Sequence, residues 1–327
     1  MFGKDIGIDL GTVNILVYEK GNGIVLNEPS VVVIDEESKR PIAFGKEAND
    51  MLGRTPGKIR VIKPMKDGVI ADFEIIELLL DYLLKKIKIT GMLTKPKIII
   101  CCPSNITEVE KNAIKEAAEK IGAKRVYVAE EPLAAAIGAG LDISKPSGNM
   151  VVDIGGGTTD IAVLSLGNIV TSASIKTAGN AFDAAIINYI KDKYKLLIGE
   201  KTAENIKITI GAAKGSNKKD KMDVRGRDLV EGLPKTITIT KEEIEEALKD
   251  SINKIITMIK AVLEQTPPEL SADIIANGIV LTGGGALLEG LPELLEEKIK
   301  VPVFIAEDPL NCVAQGTGIM LNKLQYI

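Results

Sequence analysis

Three glycine-rich segments each follow an apolar run that ends in a polar residue. They are Asp9-Leu10-Gly11-Thr12, Asp153-Ile154-Gly155-Gly156-Gly157-Thr158-Thr159-Asp160, and Thr282-Gly283-Gly284-Gly285. Glycine lets backbone amides approach an anion closely, and a tight turn aims several N–H groups at one point. The hydroxyls of Thr12, Thr158 and Thr159 add donors. If the first two loops face each other, they clamp a polyphosphate from both sides. Asp9 and Asp153, at the strand ends, suit Mg²⁺, which takes oxygen ligands in an octahedron and keeps several of its waters. They are expected to hold that ion through water. Any one such loop alone reads equally as a plain hairpin turn; the repetition carries the signal. No Gly-x-x-x-x-Gly-Lys-Ser/Thr segment occurs, and the triple glycines do not open a βαβ unit, so neither a Walker loop nor a dinucleotide fingerprint is present.

The composition removes other chemistries. The chain has no histidine, which excludes His-based triads and His metal sites. Its three cysteines, Cys101, Cys102 and Cys312, form no Cys-x-x-Cys and read as small core residues of a reducing compartment. Net charge is -4 and no long basic block occurs, so nucleic acid is not an expected partner. Aromatic content is 3% with no Trp, so the core must be aliphatic. Lys4 and Asp5 interrupt the opening apolar run, and no segment approaches the roughly 20 apolar residues of a membrane span. A cytoplasmic protein is expected.

The elements that position these loops alternate between strand and helix, so the class is α/β. Ile6 to Leu10, Asn14 to Tyr18 and Ile24 to Leu26 read as a meander. Helices are expected from Phe73 to about Ile89, from the Thr107/Glu110 capping box to Gly122, and from Glu131-Pro132 to near Gly140. Beyond Lys145 the opening pattern returns: Met150-Val151-Val152-Asp153-Ile154-Gly155 echoes Gly7-Ile8-Asp9-Leu10-Gly11. This is an internal duplication. The first lobe is read as 1–145 with 315–327, carrying an insertion at about 33–67. The second is read as 146–314, carrying one at about 180–243. Thr240 and Glu243 cap a long helix stopped by Pro267-Pro268, a helix is expected from Leu287, and a last one from about Asn311.

On these loops the chain resembles the superfamily of actin, sugar kinases and heat-shock chaperone ATPases. Within it, the chain resembles the MreB family of bacterial actin-type proteins nearly end to end. The stretches that carry this are Ile8 to Thr12, Gly23 to Val32, Met51 to Gly57, Asp67 to Phe73, Glu130-Glu131-Pro132 and Leu281 to Gly285. The resemblance implies four subdomains around a cleft, with ATP and Mg²⁺ at its base. It places Gly11, Thr12, Val13 and Asn14 on the first phosphate loop and Gly155, Gly156, Gly157, Thr158 and Thr159 on the second. Gly179 joins them, Glu204 and Lys207 contact ribose and base, and Gly283, Gly284 and Gly285 lie under the adenosine.

For Glu131 the residues alone leave two readings, a carboxylate favoured by the helix dipole and a catalytic one. The resemblance implies the second, orienting or deprotonating the attacking water, with Thr158 as a further water-positioning residue and Asp160 in the catalytic set. Asp160 is shorter than the family's usual Glu, Gly179-Asn180 stands for Gly-Gly-Asp, and Thr209 stands where an acid is usual. A weak ATPase is therefore expected. The resemblance further implies a homopolymer with paired protofilaments and a role in cell shape. It implies contact with the inner face of the membrane through Met92 and Leu93, and other cytoskeletal or envelope proteins as partners. The alternatives are a soluble small-molecule kinase or a chaperone-like ATPase of the same superfamily.

Overall fold

The computed structural model describes residues 5–88, 95–104, 106–215 and 220–323. Two five-stranded sheets organise it. The first runs Gly23–Pro29, Asn14–Glu19, Ile6–Leu10, Lys97–Cys102, Arg125–Glu130; the second runs Asn168–Ile175, Thr159–Ser165, Asn149–Ile154, Ile279–Thr282, Val303–Ile305. In each, three successive strands form an antiparallel meander, and two later strands add in parallel beside the opening one. The repeated Asp-apolar-Gly pattern is thus a repeated fold. Asn149–Ile154 is buried along its whole length, as expected of a strand covered on both faces.

Each lobe has its own aliphatic core. Ile8, Leu79, Leu83, Ile100 and Ile114 belong to the first, and Val152, Phe182, Ile186, Leu248 and Ile255 to the second. A third cluster joins them. It holds Cys101 of the first sheet, Val151 and Ala162 of the second, and Ala134, Ala135, Ala136 and Val313 between. Its helices are exchanged. Glu131–Gly138 follows the last strand of the first sheet but packs on Asn149–Ile154 and Thr159–Ser165 of the second. Cys312–Met320 follows the last strand of the second sheet but packs on Ile6–Leu10 and Asn14–Glu19. The two helices touch backbone to backbone, because a Cβ on Gly138 would strike the Cys312 carbonyl and one on Gly316 the Ala134 carbonyl.

A small sheet of Val32–Asp35, Pro41–Phe44 and Ile59–Ile62 is inserted in the first lobe. The second lobe inserts helix Glu200–Ile210 and a sheet of Leu196–Leu197, Lys221–Asp228 and Pro234–Thr240. Both capping boxes form as expected, Thr107 with Glu110 and Thr240 with Glu243. The proline pair ends Lys241–Gln265 as expected, and it also opens a further helix, Pro268–Asn277, since a proline is tolerated in a first turn. One expectation needs correction. The helix expected from Leu287 begins only at Leu291: a 3₁₀ turn, Gly284–Leu287, and a left-handed Gly290 intervene. Met92 and Leu93 lie outside the described residues. Among those described, no helix is long and apolar enough to cross a membrane.

Candidate active site

The ends of the two central strands meet at the floor of a cleft with a cavity of about 550 Å³. Leu10 pairs with Ile15 and Ile154 with Thr159, so each hairpin loop has the same length, residues 11–14 and 155–158. The loops interlock. Val13 occupies the space a Cβ on Gly156 would need, and a Cβ on Gly157 would lie 2.6 Å from Thr12 Oγ1. Gly156 and Gly157 are therefore glycines because the first loop's side chains press on them. Asn180 and Gly179, opening helix Gly179–Tyr194, donate their N–H groups to the carbonyls of Gly156 and Gly155 at 2.7 and 3.1 Å. The third loop is held against the second: Gly283, at φ 77°, would with any Cβ meet the Ile154 carbonyl.

Four carboxylates converge beneath the loops. Burial, and then the nearby Asp153, pushes Asp9 up to about 8. Burial pushes Asp153 up to about 7, against the opposing effect of the Thr282 hydroxyl, which donates to Asp153 Oδ1 at 2.7 Å. Glu131 opens its helix directly after the strand Arg125–Glu130, with Pro132 in the first turn. Its residue is 7% exposed and its Oε1 has no hydrogen-bond partner among the described residues. Burial and then Asp160, Asp9 and Asp153 hold it well above the usual carboxylate range. Asp160 is also raised by burial, partly offset by the Thr158 and Ser174 hydroxyls and the Ser104 N–H.

Of the residues expected at the site, the cleft brings together Asp9, Gly11, Thr12, Val13, Asn14, Glu131, Asp153, Gly155, Gly156, Gly157, Thr158, Gly179, Glu204, Lys207, Gly283, Gly284 and Gly285. Two do not reach its surface. Thr159, expected as a donor to phosphate, is fully buried and spends its hydroxyl on the Thr177 carbonyl at 2.7 Å. Asp160 lies one layer behind, pairing in the ladder with Asp153.

The structure adds residues the sequence reading missed. Lys207 is already paired with Asp183 at 2.9 Å and donates to the Gly179 carbonyl at 3.2 Å, so its charge is held against the helix start. An acid one turn into the helix after Gly179 was the available signal. Leu287, Leu288, Pro309, Leu310 and Val313 form an apolar wall beside the third glycine loop. Among the described residues no three acidic or cysteine side chains converge closely enough to ligate a metal directly.

Comparison with known proteins fits this arrangement. The family model described as MreB/Mbl protein matches residues 3–327. The cell shape-determining protein Mbl of Bacillus subtilis (strain 168) is 60% identical over 327 residues, covering 100% of this chain and 98% of that protein. The cell shape-determining protein MreB of Escherichia coli (strain K12) is 50% identical over 329 residues, covering 99% and 95%. The crystal structure of MreB5 of Spiroplasma citri bound to ADP superposes with a TM-score of 0.94 at 44% identity, covering 98% of this chain and 96% of that one. A MamK double helical filament subunit, at 23% identity and a TM-score of 0.82 over 97% and 98% of the two chains, shares the fold. Paired lobes, exchanged helices and a match along almost the whole sequence lead to one assignment: the chain belongs to the MreB/Mbl family, with an actin-like α/β fold.

Proposed function

We propose that this chain binds ATP with Mg²⁺ in the cleft, hydrolyses it weakly, and polymerises into filaments that act at the inner face of the cell membrane in setting cell shape. The observation that carries the reading is the interlocked pair of hairpin loops above a cluster of four carboxylates drawn from both lobes, three of them buried and Asp9 partly so. Structures of MreB5 of Spiroplasma citri with ADP and with AMPPNP, and the shape-determining relatives, support it.

In this reading the backbone amides of residues 11–14 and 155–158 hold the phosphates. Gly283 to Gly285 and the apolar wall take the nucleoside, with Glu204 and Lys207 at the ribose and base. Asp9 and Asp153 fit a hydrated divalent cation: the first is partly buried and the second buried, their charge is costly until a cation offsets it, and among the described residues no direct cage surrounds them. When bound, Mg²⁺ neutralises charge on the phosphates. Glu131 accepts the proton of the attacking water; a carboxylate held above its usual range is a stronger base. Thr158 orients that water. Asp160 supports Thr158 from behind rather than touching the nucleotide. Met92 and Leu93 provide weak membrane contact per subunit, multiplied along a filament.

The test is sedimentation and phosphate release on one ATP–Mg²⁺ sample, for the wild type and Glu131→Ala. Pelleting by both, with phosphate released by the wild type alone, is the expected result. Steady release without pelleting by either moves the assignment to a soluble kinase or chaperone-like ATPase. Liposome pelleting that survives Met92→Ser with Leu93→Ser removes the membrane contact.

A further inference from the structure

A two-residue hairpin joins Met65–Lys66 to Val69–Ile70, with Asp67 and Gly68 at its tip. Both tip residues have positive φ, 50° and 72°, the backbone of the turn that Asp-Gly favours. Met65 and Ile70 are buried in the first-lobe core, which anchors the hairpin. Its tip lies against the second lobe. A Cβ on Gly68 would collide with the methyl carbon Cγ2 of Thr158, and Pro103 backs the same position at 3.5 Å. The neighbouring Ser104 N–H donates to Asp160 Oδ1 at 3.3 Å. Two first-lobe loops thus hold Thr158 and the acid behind it, and Thr158 is 4% exposed.

We propose that the Asp67-Gly68 tip is a positioning element for hydrolysis. A β-branched side chain has few χ1 wells, and a surface pressed on its methyl selects one of them. With Cγ2 seated against Gly68, the Thr158 hydroxyl is kept beside Asp160, to which it donates, and its lone pairs are left for the attacking water at the cleft wall. Only glycine allows this contact, since a Cβ both fills the methyl's place and disfavours the left-handed backbone. The inference rests on the reading of Thr158 as a water-positioning residue.

The experiment is a double-mutant cycle on the full chain with ATP–Mg²⁺, reading kcat and KM by phosphate release and the thermal midpoint in parallel. Gly68→Ala lowers kcat by about tenfold or more while KM stays within about twofold, as for a small misplacement of a reacting group. In the Thr158→Ser background, which lacks the colliding methyl, the same change costs less than about threefold. Gly68→Asn, which tolerates the backbone and still carries a Cβ, gives the same pattern without strain at the turn. Equal losses in both backgrounds, or an unchanged kcat, overturn the positioning role. Thr158→Val keeps the methyl and removes the hydroxyl. Wild-type turnover by that variant refutes the role of Thr158 and the inference with it. Impaired turnover alongside an additive Gly68 cycle refutes the inference alone.

Discussion

The two lobes are copies in topology and differ where chemistry is expected. Asp9 and Asp153 end equivalent strands, yet their neighbours have diverged. Across the parallel pairing Asp9 faces Cys101, and Asp153 faces Thr282. Across the antiparallel pairing Asp9 faces Leu16, and Asp153 faces Asp160. The first loop carries side chains at residues 12 and 13, where the second carries Gly156 and Gly157. The first lobe's exchanged helix starts with a buried acid at Glu131; the second lobe's starts at Cys312. Duplication supplies a symmetric scaffold, and in the function proposed here each departure from symmetry has a use: a base from the first lobe, a close-fitting phosphate loop and a supporting acid from the second.

The sharpest way to break this comparison is at the exchanged helices. Glu131→Gln keeps the shape and removes the base, so phosphate release falls by about 10²–10⁴-fold. Nucleotide affinity stays within a few-fold, because the loops are intact. Turnover at more than about a tenth of the wild-type rate reassigns the base to another group.

The loops come next. Gly156→Ala places a methyl where Val13 sits, and must move one loop away from the other. ATP affinity falls by about tenfold or more, an overpacking cost of roughly 1–3 kcal/mol expressed at the binding site. Val13→Ala in the same chain restores part of it. Titration with a fluorescent ATP analogue measures both, and no loss in the single variant removes the interlock as the reason for glycine there.

Much of this asymmetry was legible in sequence, and some was not. The duplicated strands, both capping boxes and the three glycine loops are local patterns whose residues are adjacent in the chain. One half of the helix exchange is in the sequence reading, which gives 315–327 to the first lobe; the crossing of Glu131–Gly138 onto the second sheet is not, because Ala134 and Gly316 meet only in three dimensions. Thr159 was read as a phosphate donor since the loop's end and the strand's start look alike in a run of Gly and Thr. The pairing of Ile154 with Thr159 closes the loop one residue earlier and turns Thr159 inward. Asp183, one turn past Gly179, is a signal too weak to single out until Lys207 is seen to face it.

A pH series tests the two aspartates. Both have folded values raised above the ordinary 3.8, to about 8 for Asp9 and about 7 for Asp153. Raised acids stabilise the fold fully below their unfolded value, and that stability is lost as pH rises through the folded values. The nucleotide-free protein in EDTA therefore loses stability between about pH 4 and pH 8 from this pair. Asp9→Asn removes the penalty and raises the midpoint at pH 8 by about 3 °C or more, with little change at pH 4. Cys101→Thr makes the first lobe resemble the second by offering Asp9 a hydroxyl. It lowers the upper of the two apparent values for the pair, and Thr282→Val does the reverse. A midpoint unaffected by Asp9→Asn at pH 8 contradicts the strained-acid account.

The smallest effect is expected at the rim. Lys63, just past the inserted strand Ile59–Ile62, pairs with Glu200, which opens the helix carrying Glu204 and Lys207, at 2.7 Å. The two side chains are 37% and 63% exposed, so screening leaves such a pair worth about 0–1 kcal/mol. Lys63→Ala therefore weakens ATP binding by less than about threefold, and that loss shrinks further in high salt. At the floor the lobes are joined by packed backbone, where a single methyl has no room; at the rim they are joined by charge, where a whole side chain is dispensable. A large, salt-insensitive loss from Lys63→Ala reverses that order and makes the rim, not the floor, the place where nucleotide binding draws the lobes together.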